Sequence, residues 1–235
     1  PKSNMMTEFS GGASLEAFTR VFDQAAADET ASAIVLDIDS PGGVTSMVEE
    51  TAARIFAARR DNRPIIAVAN TMAASAAYWI ASACDRIVAP PSANVGSIGV
   101  YTWHDDMSKM MAEAGVDRTV VFEGPRKVEN LPFAALTDSA RQALQESVRS
   151  TYRAFTSDVA RFRGVSANVV RADPEGNSDH YGGGRSYHAR EARRLGMIDQ
   201  VATLDQVIAD LQRGRSPRRR PSSRASLRAA RLRLT

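Results

Sequence analysis

The sequence predicts an α/β protein in which helices cover both faces of a mostly parallel sheet. Two short, nearly continuous apolar runs, at residues 33–38 and 65–69, have the length and the β-branched content of strands buried on both faces. After the first run, at residues 44–59, apolar residues recur at helical spacing. Strands and helices that alternate in this way are typical of parallel sheets.

The first half of the chain holds most of the predicted strands. A helix follows the Gly11–Gly12 breaker, because Leu15, Phe18 and Phe22 recur on one face. The later elements expected in this half are a strand at 33–38, a helix at 44–59, a strand at 65–69, a helix at 73–83, strands at 86–89 and 97–101, a helix at 104–114 and a strand at 119–122.

Helices dominate the second half, where we expect a C-terminal helical arm. Thr137 is a candidate N-cap for a long helix that ends at Gly164. The apolar stripe of this helix consists of Leu144, Val148, Tyr152, Phe155, Val159 and Phe162. A turn-rich loop at 173–186 precedes a helix at 189–195, a strand at 198–201 and a helix from Leu204. His180 and His188 fall in the loop region, and both are expected at the surface.

Charge is divided unevenly along the chain. The net charge of +3 hides an acidic body, because nine of the 30 basic residues lie in the last 23 of the 235 positions. Residues 1–212 carry 27 acidic and 21 basic side chains, and we expect them to form one domain. Residues 213–235, rich in Arg, Pro and Ser, are predicted to be a disordered tail. Two interpretations of the tail stay open: a solvated terminus, or contact with nucleic acid or an acidic protein.

Several function classes are excluded by composition. The single cysteine, Cys84, excludes a disulfide framework and a cysteine-based metal cluster. Three scattered histidines without paired carboxylates argue against a metal site. No apolar run approaches the ~20 residues that span a bilayer, and residues 1–4 are unlike a signal peptide. We therefore expect no metal, no cofactor and no transmembrane anchor in this chain.

Two motifs contain the residues best suited to chemistry. Asp39–Gly43 (Asp-Ser-Pro-Gly-Gly) is a turn directly after a buried strand, and its glycines let a ligand approach the backbone N–H groups. In Met72–Trp79, Ser75 stands among alanines at the start of a helix, where a nucleophile gains from the helix N-terminus. Taken alone, the first motif also fits an ordinary strand-to-helix turn and the second an N-cap serine.

Together with four further motifs, these residues resemble the signal peptide peptidase A (SppA) family of serine–lysine peptidases, which have the ClpP/crotonase fold of repeated ββα units. The resemblance extends from about Gly11 to Leu211. The further motifs, in chain order, are Val95–Val100 (Val-Gly-Ser-Ile-Gly-Val), Gly124–Lys127, Arg161–Gly164 and Leu195–Asp199. Each motif alone is weak, and their common order makes the match specific.

The resemblance implies a role for individual residues. Ser75 is expected to be the nucleophile, Lys127 the general base and Ser97 the residue that orients the lysine amine. The backbone N–H groups of Gly43 and Ala76 are expected to form the oxyanion hole. A desolvated lysine can act as a base because burial disfavours its charged form. Substrate polypeptide is expected to bind in extended form along Gly42, Gly43, Ile98 and Gly99.

Two observations complicate the choice of base. Arg126 and Glu129, which carry opposite charges, lie close to Lys127 in sequence. His104, followed by Asp105 and Asp106, offers a rival Ser–His–Asp arrangement of equally sound chemistry. The Gly-x-x-Lys context favours Lys127, because it matches the serine–lysine branch.

The motif Ser75–Trp79 (Ser-Ala-Ala-Tyr-Trp) resembles the phage branch of the family, the head maturation (prohead) proteases that cleave scaffold, portal or capsid proteins. This resemblance implies an ATP-independent serine endopeptidase in the host cytoplasm, associated with the procapsid. Two alternatives stay open. One is a bacterial signal peptide peptidase, membrane-associated if an anchor precedes the chain, and the other is a catalytically idle assembly factor.

The resemblance also implies a longer and oligomeric protein. The first strand of the family fold would precede Pro1, so we expect the chain to be a fragment. Family members assemble into rings in which dyad residues can meet across a subunit interface, and we therefore expect a homo-oligomeric ring.

Overall fold

The computed structural model describes residues 14–214, which contain six strands and eight helices. The strands are β1 (Ile34–Ser40), β2 (Ile65–Ala74), β3 (Arg86–Ala89), β4 (Asn94–Gly96), β5 (Ser186–His188) and β6 (Gln200–Val201). The helices are α1 (Leu15–Ala27), α2 (Val48–Ala57), α3 (Ala76–Ser82), α4 (Ser108–Glu113), α5 (Asp138–Arg163), α6 (Ala167–Arg171), α7 (Ala189–Arg194) and α8 (Leu204–Gln212). Nearly all of the predicted basic tail lies outside the described residues.

Strand β2 is the centre of the sheet. β1 pairs with one edge in parallel, from Ile34 opposite Ile65 to Ser40 opposite Ala73. β3 and β4 share the other edge, also in parallel, and β4 ends with Gly96 opposite Ala74. β6 joins β3 in parallel and β5 joins β4 in antiparallel orientation. The carboxyl ends of β1 and β4 therefore flank the carboxyl end of β2.

Helices bury the apolar run in β2, as the sequence predicts. The side chains of residues 65–69 are fully buried. Ile66 and Val68 pack with Val88, Ala202 and Val207 in one cluster, to which α8 contributes. α3 packs against β1 and β2, and α2 packs against α3. Both the mostly parallel sheet and its helical cover agree with the predicted α/β class.

The long helix α5 begins and ends where the sequence indicates. The Thr137 hydroxyl accepts a hydrogen bond from the Ala140 N–H at 3.2 Å, which makes Thr137 its cap. Burial of the apolar stripe increases along the helix: Leu144 and Val148 are half-buried, whereas Phe155, Val159 and Phe162 are buried. The Phe155 ring stacks on Trp79 of α3 with 4.7 Å between ring centroids.

The described residues divide into two compact units. The first consists of the chain up to Gly99 and from Ala154 onward, and it contains the whole sheet. The second, Val100–Arg153, contains α4 and the first part of α5.

Several predicted elements differ in the structure, among them the helices expected at 44–59 and 104–114, which begin at Val48 and Ser108. The helix expected from Ala73 begins at Ala76, because Met72–Ala74 continue β2 by pairing with β4. The strand expected at 97–101 is instead Asn94–Gly96, since positive φ angles at Gly96 (119°) and Ser97 (53°) turn the backbone away from the ladder. Residues 119–122 form no strand within the described chain.

The prediction that His180 lies at the surface is wrong. Its side chain is buried, with 7% exposed, and its ring lies 5.8 Å from that of Tyr187. The Nδ1 atom accepts a hydrogen bond from the Gly182 N–H at 3.1 Å. A glycine-rich loop can fold back over its own histidine in this way, which composition alone does not reveal. His188 is exposed, as expected.

Candidate active site

Ser75 occupies a strained turn between β2 and α3. Its φ of 53° and ψ of −124° lie outside the regions that residues with a side chain commonly adopt. The Ser75 N–H donates to the Gly96 carbonyl at 2.8 Å, and its own carbonyl accepts from the Trp79 N–H at 3.0 Å. Although Ser75 stands at the N-cap position, its side chain makes no capping hydrogen bond. The hydroxyl is therefore available for chemistry, as in other serines on sharp strand-to-helix turns.

The Asp39–Gly43 turn lies directly against Ser75. A Cβ atom at Gly42 would be 2.7 Å from the Ser75 Cβ, 2.8 Å from the Ala74 carbonyl oxygen and 3.0 Å from the Ala76 nitrogen. Only glycine fits at this contact, and its φ of 99° also favours glycine. The structure thus brings together the two motifs that the sequence singled out.

The predicted oxyanion-hole residues line a common cavity of about 260 Å³. Ala76 is the first residue of α3, where a backbone N–H has no acceptor within the helix. Gly43 faces open space, because a Cβ there would meet no atom within 4 Å. The other lining residues are Leu15, Phe18, Asp37, Ile38, Asp39, Ser40, Gly42, Val44, Val48, Ala77 and Ile80. The contribution of α1 is not evident from the sequence, because Leu15 and Phe18 fit a simple core-facing stripe.

Ser97 directly follows Gly96, whose carbonyl accepts the hydrogen bond from the Ser75 N–H. Its φ is 53°, its side chain is half-buried, and its N–H donates to the Arg185 carbonyl at 2.9 Å. Next to it, the Ile98 side chain is 1% exposed and belongs to the core, whereas Gly99 is half-buried. Ile98 can therefore contact a ligand only through its backbone, and Gly99 through its exposed part.

Lys127 lies in a turn of the second unit. Its N–H donates to the Gly124 carbonyl at 3.0 Å, and its side chain is exposed. Arg126 forms an ion pair with Glu129 at 2.6 Å and donates to the Ser139 hydroxyl at 3.0 Å. The two charges next to Lys127 thus neutralise each other, and Lys127 makes no ion pair within residues 14–214. Ser75 belongs to the first unit and Lys127 to the second, so the Ser75–Lys127 dyad stays a prediction.

The rival base His104 is half-buried in the second unit. Its Nε2 atom lies 3.1 Å from the Ala134 carbonyl oxygen, so in this geometry Nε2 donates a hydrogen bond and Nδ1 is the nitrogen left to accept a proton. Asp106 accepts from the Ser108 N–H at 3.0 Å, and hydrogen bonds from Ser108 lower the pKa of its carboxyl group. The Asp106 carboxylate is therefore engaged at the start of α4, which weakens the case for a Ser–His–Asp triad.

Within residues 14–214, no cluster of three or more His, Cys, Asp or Glu side chains is arranged to hold a metal ion. The same part of the chain contains no helix that combines the length and the apolar character needed to cross a bilayer.

Comparison with known sequences points to peptidases. The sequence model of peptidase family S49 matches residues 57–216. The head-tail preconnector protein of Enterobacteria phage P21 is 36% identical over 165 residues, which are 70% of this chain and 33% of that protein. Capsid assembly protease C of Escherichia phage lambda is 30% identical over 207 residues, or 88% and 45% of the two chains. A putative signal peptide peptidase SppA of Enterococcus faecium is 26% identical over 186 residues, or 79% and 52%. The chain thus spans about one third to one half of these relatives.

The fold also has a solved counterpart. The 1510-N membrane-bound stomatin-specific protease, in complex with a substrate peptide, superposes with a TM-score of 0.51 over 82% of this chain and 71% of that chain. The two sequences are 17% identical, so the likeness concerns the fold. It confirms the predicted α/β class and its ClpP/crotonase-like arrangement.

Proposed function

The chain belongs to peptidase family S49, as its motifs predict, and we propose that it is a serine endopeptidase with Ser75 as nucleophile and Lys127 as general base. One observation supports the proposal most strongly. Ser75 lies on a strained turn, in contact with Gly42 and next to the N–H of Ala76, and its hydroxyl does not cap the helix that follows. A packed structural serine at a helix start would instead cap the helix with its side chain.

The reaction proceeds in two acyl-transfer steps. Lys127, which is exposed in the single chain, takes the proton of the Ser75 hydroxyl through the neutral form of its amine, the form that this step requires, while Oγ forms a bond to the peptide carbonyl carbon. Collapse of the tetrahedral intermediate breaks the C–N bond, and the leaving amine receives the proton from Lys127. A water molecule then attacks the ester, again through Lys127 as base, and releases the second product together with the free Ser75 hydroxyl.

The negative charge of each tetrahedral intermediate develops on the former carbonyl oxygen. The N–H groups of Gly43 and Ala76, which line the same cavity, are suited to stabilise that oxyanion. Loss of one such donor typically lowers the rate by about 10²–10³-fold. Ser97 orients the Lys127 amine in this proposal, and the fixed backbone around Gly96 and Ser97 supports that role.

The cavity next to Ser75 favours an apolar residue on the acyl side of the cleaved bond. Its walls are mainly aliphatic and aromatic, with Leu15, Phe18 and Ile80 among the lining side chains. A volume of about 260 Å³ accommodates a side chain of moderate size. The flanking polypeptide binds in extended form along Gly42–Gly43 on one side and Ile98–Gly99 on the other.

Proteins of the phage head are the substrate class we propose. Support comes from the two phage relatives, one of which is a capsid assembly protease. The site of action is then the host cytoplasm, at the procapsid. The similarity to a putative signal peptide peptidase supports a second candidate, the clearance of cleaved signal peptides. A catalytically idle assembly factor is the third candidate. That function would not explain why Ser75 has a strained backbone and a hydroxyl that does not cap the helix.

We propose that the active form is a homo-oligomeric ring. The second unit exposes large apolar side chains: Tyr101 is 81% exposed, Trp103 70% and Val121 93%. Residues 119–122 have the composition of a strand but no partner strand within the described chain, and pairing with another copy would supply one. The Arg-rich tail, outside the described residues, is proposed to contact an acidic protein or nucleic acid.

A covalent probe tests the serine peptidase proposal. The full chain is treated with a fluorophosphonate probe, the labelled residue is located by mass spectrometry, and cleavage of fluorescein-labelled casein is followed in parallel. We expect labelling at Ser75, and we expect Ser75→Ala to abolish both labelling and cleavage. An unlabelled wild-type oligomer that leaves casein intact would instead support the idle assembly factor. The two substrate classes are distinguished by comparing the rate of cleavage of a phage scaffold protein with the rate of cleavage of a signal peptide.

A further inference from the structure

Arg163 and Asp199 form a buried ion pair that the proposed mechanism does not use. Arg163, the last residue of α5, pairs with Asp199, and their side chains are 2% and 10% exposed. The guanidinium donates to both carboxylate oxygens, at 2.8 and 3.0 Å, and also to the Gly196 carbonyl at 3.2 Å. This bidentate geometry fixes the relative orientation of the two groups.

The ion pair attaches residues 196–199 to the sheet. The Asp199 carboxylate accepts from the Ile87 N–H at 2.8 Å, and the Asp199 N–H donates to the Ile87 carbonyl at 2.8 Å. Burial alone would lower the pKa of Arg163, but the Asp199 charge outweighs it, and the pKa is raised. Arg163 therefore stays charged, and the segment 196–199 provides a rigid support.

Two buried tyrosines bind this support through their hydroxyl groups. Tyr78, in the first turn of α3, donates to the Met197 carbonyl at 2.8 Å. Tyr181, in the loop before β5, donates to the Gly196 carbonyl at 2.9 Å. Both side chains are buried, at 0% and 1% exposed, and the two bonds are alike in length. They differ in two respects: only Tyr78 lies on the helix that begins after Ser75, and the Gly196 carbonyl also accepts from Arg163.

Met197 is also connected to Ser75 through Gly96. Its terminal methyl group packs against Gly96, where an added Cβ would be 2.9 Å from it. The Gly96 carbonyl in turn accepts the Ser75 N–H at 2.8 Å. Met197 therefore contacts the elements on both sides of Ser75. Its carbonyl binds Tyr78 of α3, and its side chain packs against Gly96 of β4.

We propose that Tyr78 is a positioning residue for Ser75, because its hydroxyl fastens the first turn of α3 to the support that Arg163 and Asp199 hold in place. The inference rests on the proposed function, since it takes Ser75 as the nucleophile. A strained backbone persists only where its surroundings over-determine it. Loss of this bond lets the start of α3 relax, which moves the Ser75 hydroxyl and the Ala76 N–H away from their reactive geometry.

A comparison of two matched variants tests this inference. Tyr78→Phe and Tyr181→Phe each remove one buried hydroxyl from the same support, and kcat, KM and Tm are measured for the full chain with fluorescein-labelled casein. We expect Tyr78→Phe to lower kcat by roughly 10-fold with little change in KM, since a misplacement of about 1 Å can cost 10²-fold in rate. Tyr181→Phe is expected to retain kcat within about twofold at a similar loss of Tm.

The outcomes separate the inference from the proposed function. Equal losses of kcat in the two variants, or losses that follow Tm alone, overturn the positioning role of Tyr78 while Ser75 keeps its role. A wild-type chain that neither cleaves casein nor labels Ser75 with the fluorophosphonate probe contradicts the proposed function, and the inference fails with it.

Discussion

At the scale of single residues, the strained backbone of Ser75 is the main feature of the candidate site. A non-glycine residue in such a conformation costs about 1–3 kcal/mol, which the surrounding hydrogen bonds must offset. The Gly96 carbonyl and the Trp79 N–H supply two of these bonds, one on each side of Ser75. At this strained residue the hydroxyl does not serve as a cap for the helix.

The contact between Gly42 and Ser75 leads to the first prediction. In Gly42→Ala, the new methyl group would meet the Ser75 Cβ and the Ala74 carbonyl at 2.7 and 2.8 Å, at a φ of 99°. We expect a loss of about 2–4 kcal/mol in unfolding free energy, measured by urea denaturation, from overpacking and from left-handed backbone strain together. Cleavage activity is expected to fall further than stability, because the methyl group displaces Ser75.

Gly176→Ala is the matched control for this prediction. Gly176 has open space around its Cα, so the added methyl group meets no atom. We expect stability and activity close to those of the wild type. If Gly42→Ala behaves like this control, the turn is not packed against Ser75.

At the scale of elements, hydrophobic pattern identifies most helices and strands but not their ends. The apolar run 65–69 predicts β2, yet the strand continues to Ala74 because β4 pairs with its last residues. Alanines favour helix locally, and a long-range pairing overrides that preference. Residues 97–101 alternate like a strand, but the positive φ angles at Gly96 and Ser97 turn the backbone away from the ladder. Neither a pairing partner that is distant in sequence nor a positive φ can be read from a local hydrophobic pattern.

The graded burial of α5 gives a prediction at this scale. Phe155 is 1% exposed and stacks on Trp79, whose indole N–H donates to Asp158 at 3.0 Å. We expect Phe155→Ala to lower the unfolding free energy by about 3–5 kcal/mol, because it removes a ring from a packed layer. Leu144→Ala, at the half-buried end of the same stripe, is expected to cost less than about 2 kcal/mol. Equal losses, measured by chemical denaturation, would contradict the packing of α5 on α3.

At the scale of the whole molecule, the sequence locates the candidate site only in part. The Gly-Gly turn, Ser75 and the segment before Ser97 are far apart in the chain, and parallel pairing brings them to one end of β2. Motif order made that grouping predictable. The apolar cavity was not predictable, because its walls come from α1, β1 and α3, whose side chains have the pattern of ordinary core residues.

The exposed apolar surface of the second unit leads to a prediction about assembly. Val121→Asp places a charge at a side chain that is 93% exposed in the single chain, and we expect it to shift the oligomer toward the 25.4 kDa monomer with loss of cleavage. Light scattering coupled to size exclusion measures the mass. Val21→Asp is the control, because Val21 is 65% exposed on α1 and lies outside this unit. A wild-type monomer that cleaves casein at full rate would contradict the ring.

The identity of the general base tests the central claim most directly. Initial rates of casein cleavage are compared for the wild type, Lys127→Ala and His104→Ala, each in the full chain and at equal oligomer concentration. Loss of a general base typically lowers the rate by about 10²–10⁴-fold, and we expect a loss of this size in Lys127→Ala. His104→Ala is expected to cleave at nearly the wild-type rate, since the proposed mechanism assigns no proton transfer to His104, whose Nε2 atom is hydrogen-bonded to the Ala134 carbonyl. Cleavage retained in Lys127→Ala and lost in His104→Ala would contradict the serine–lysine dyad.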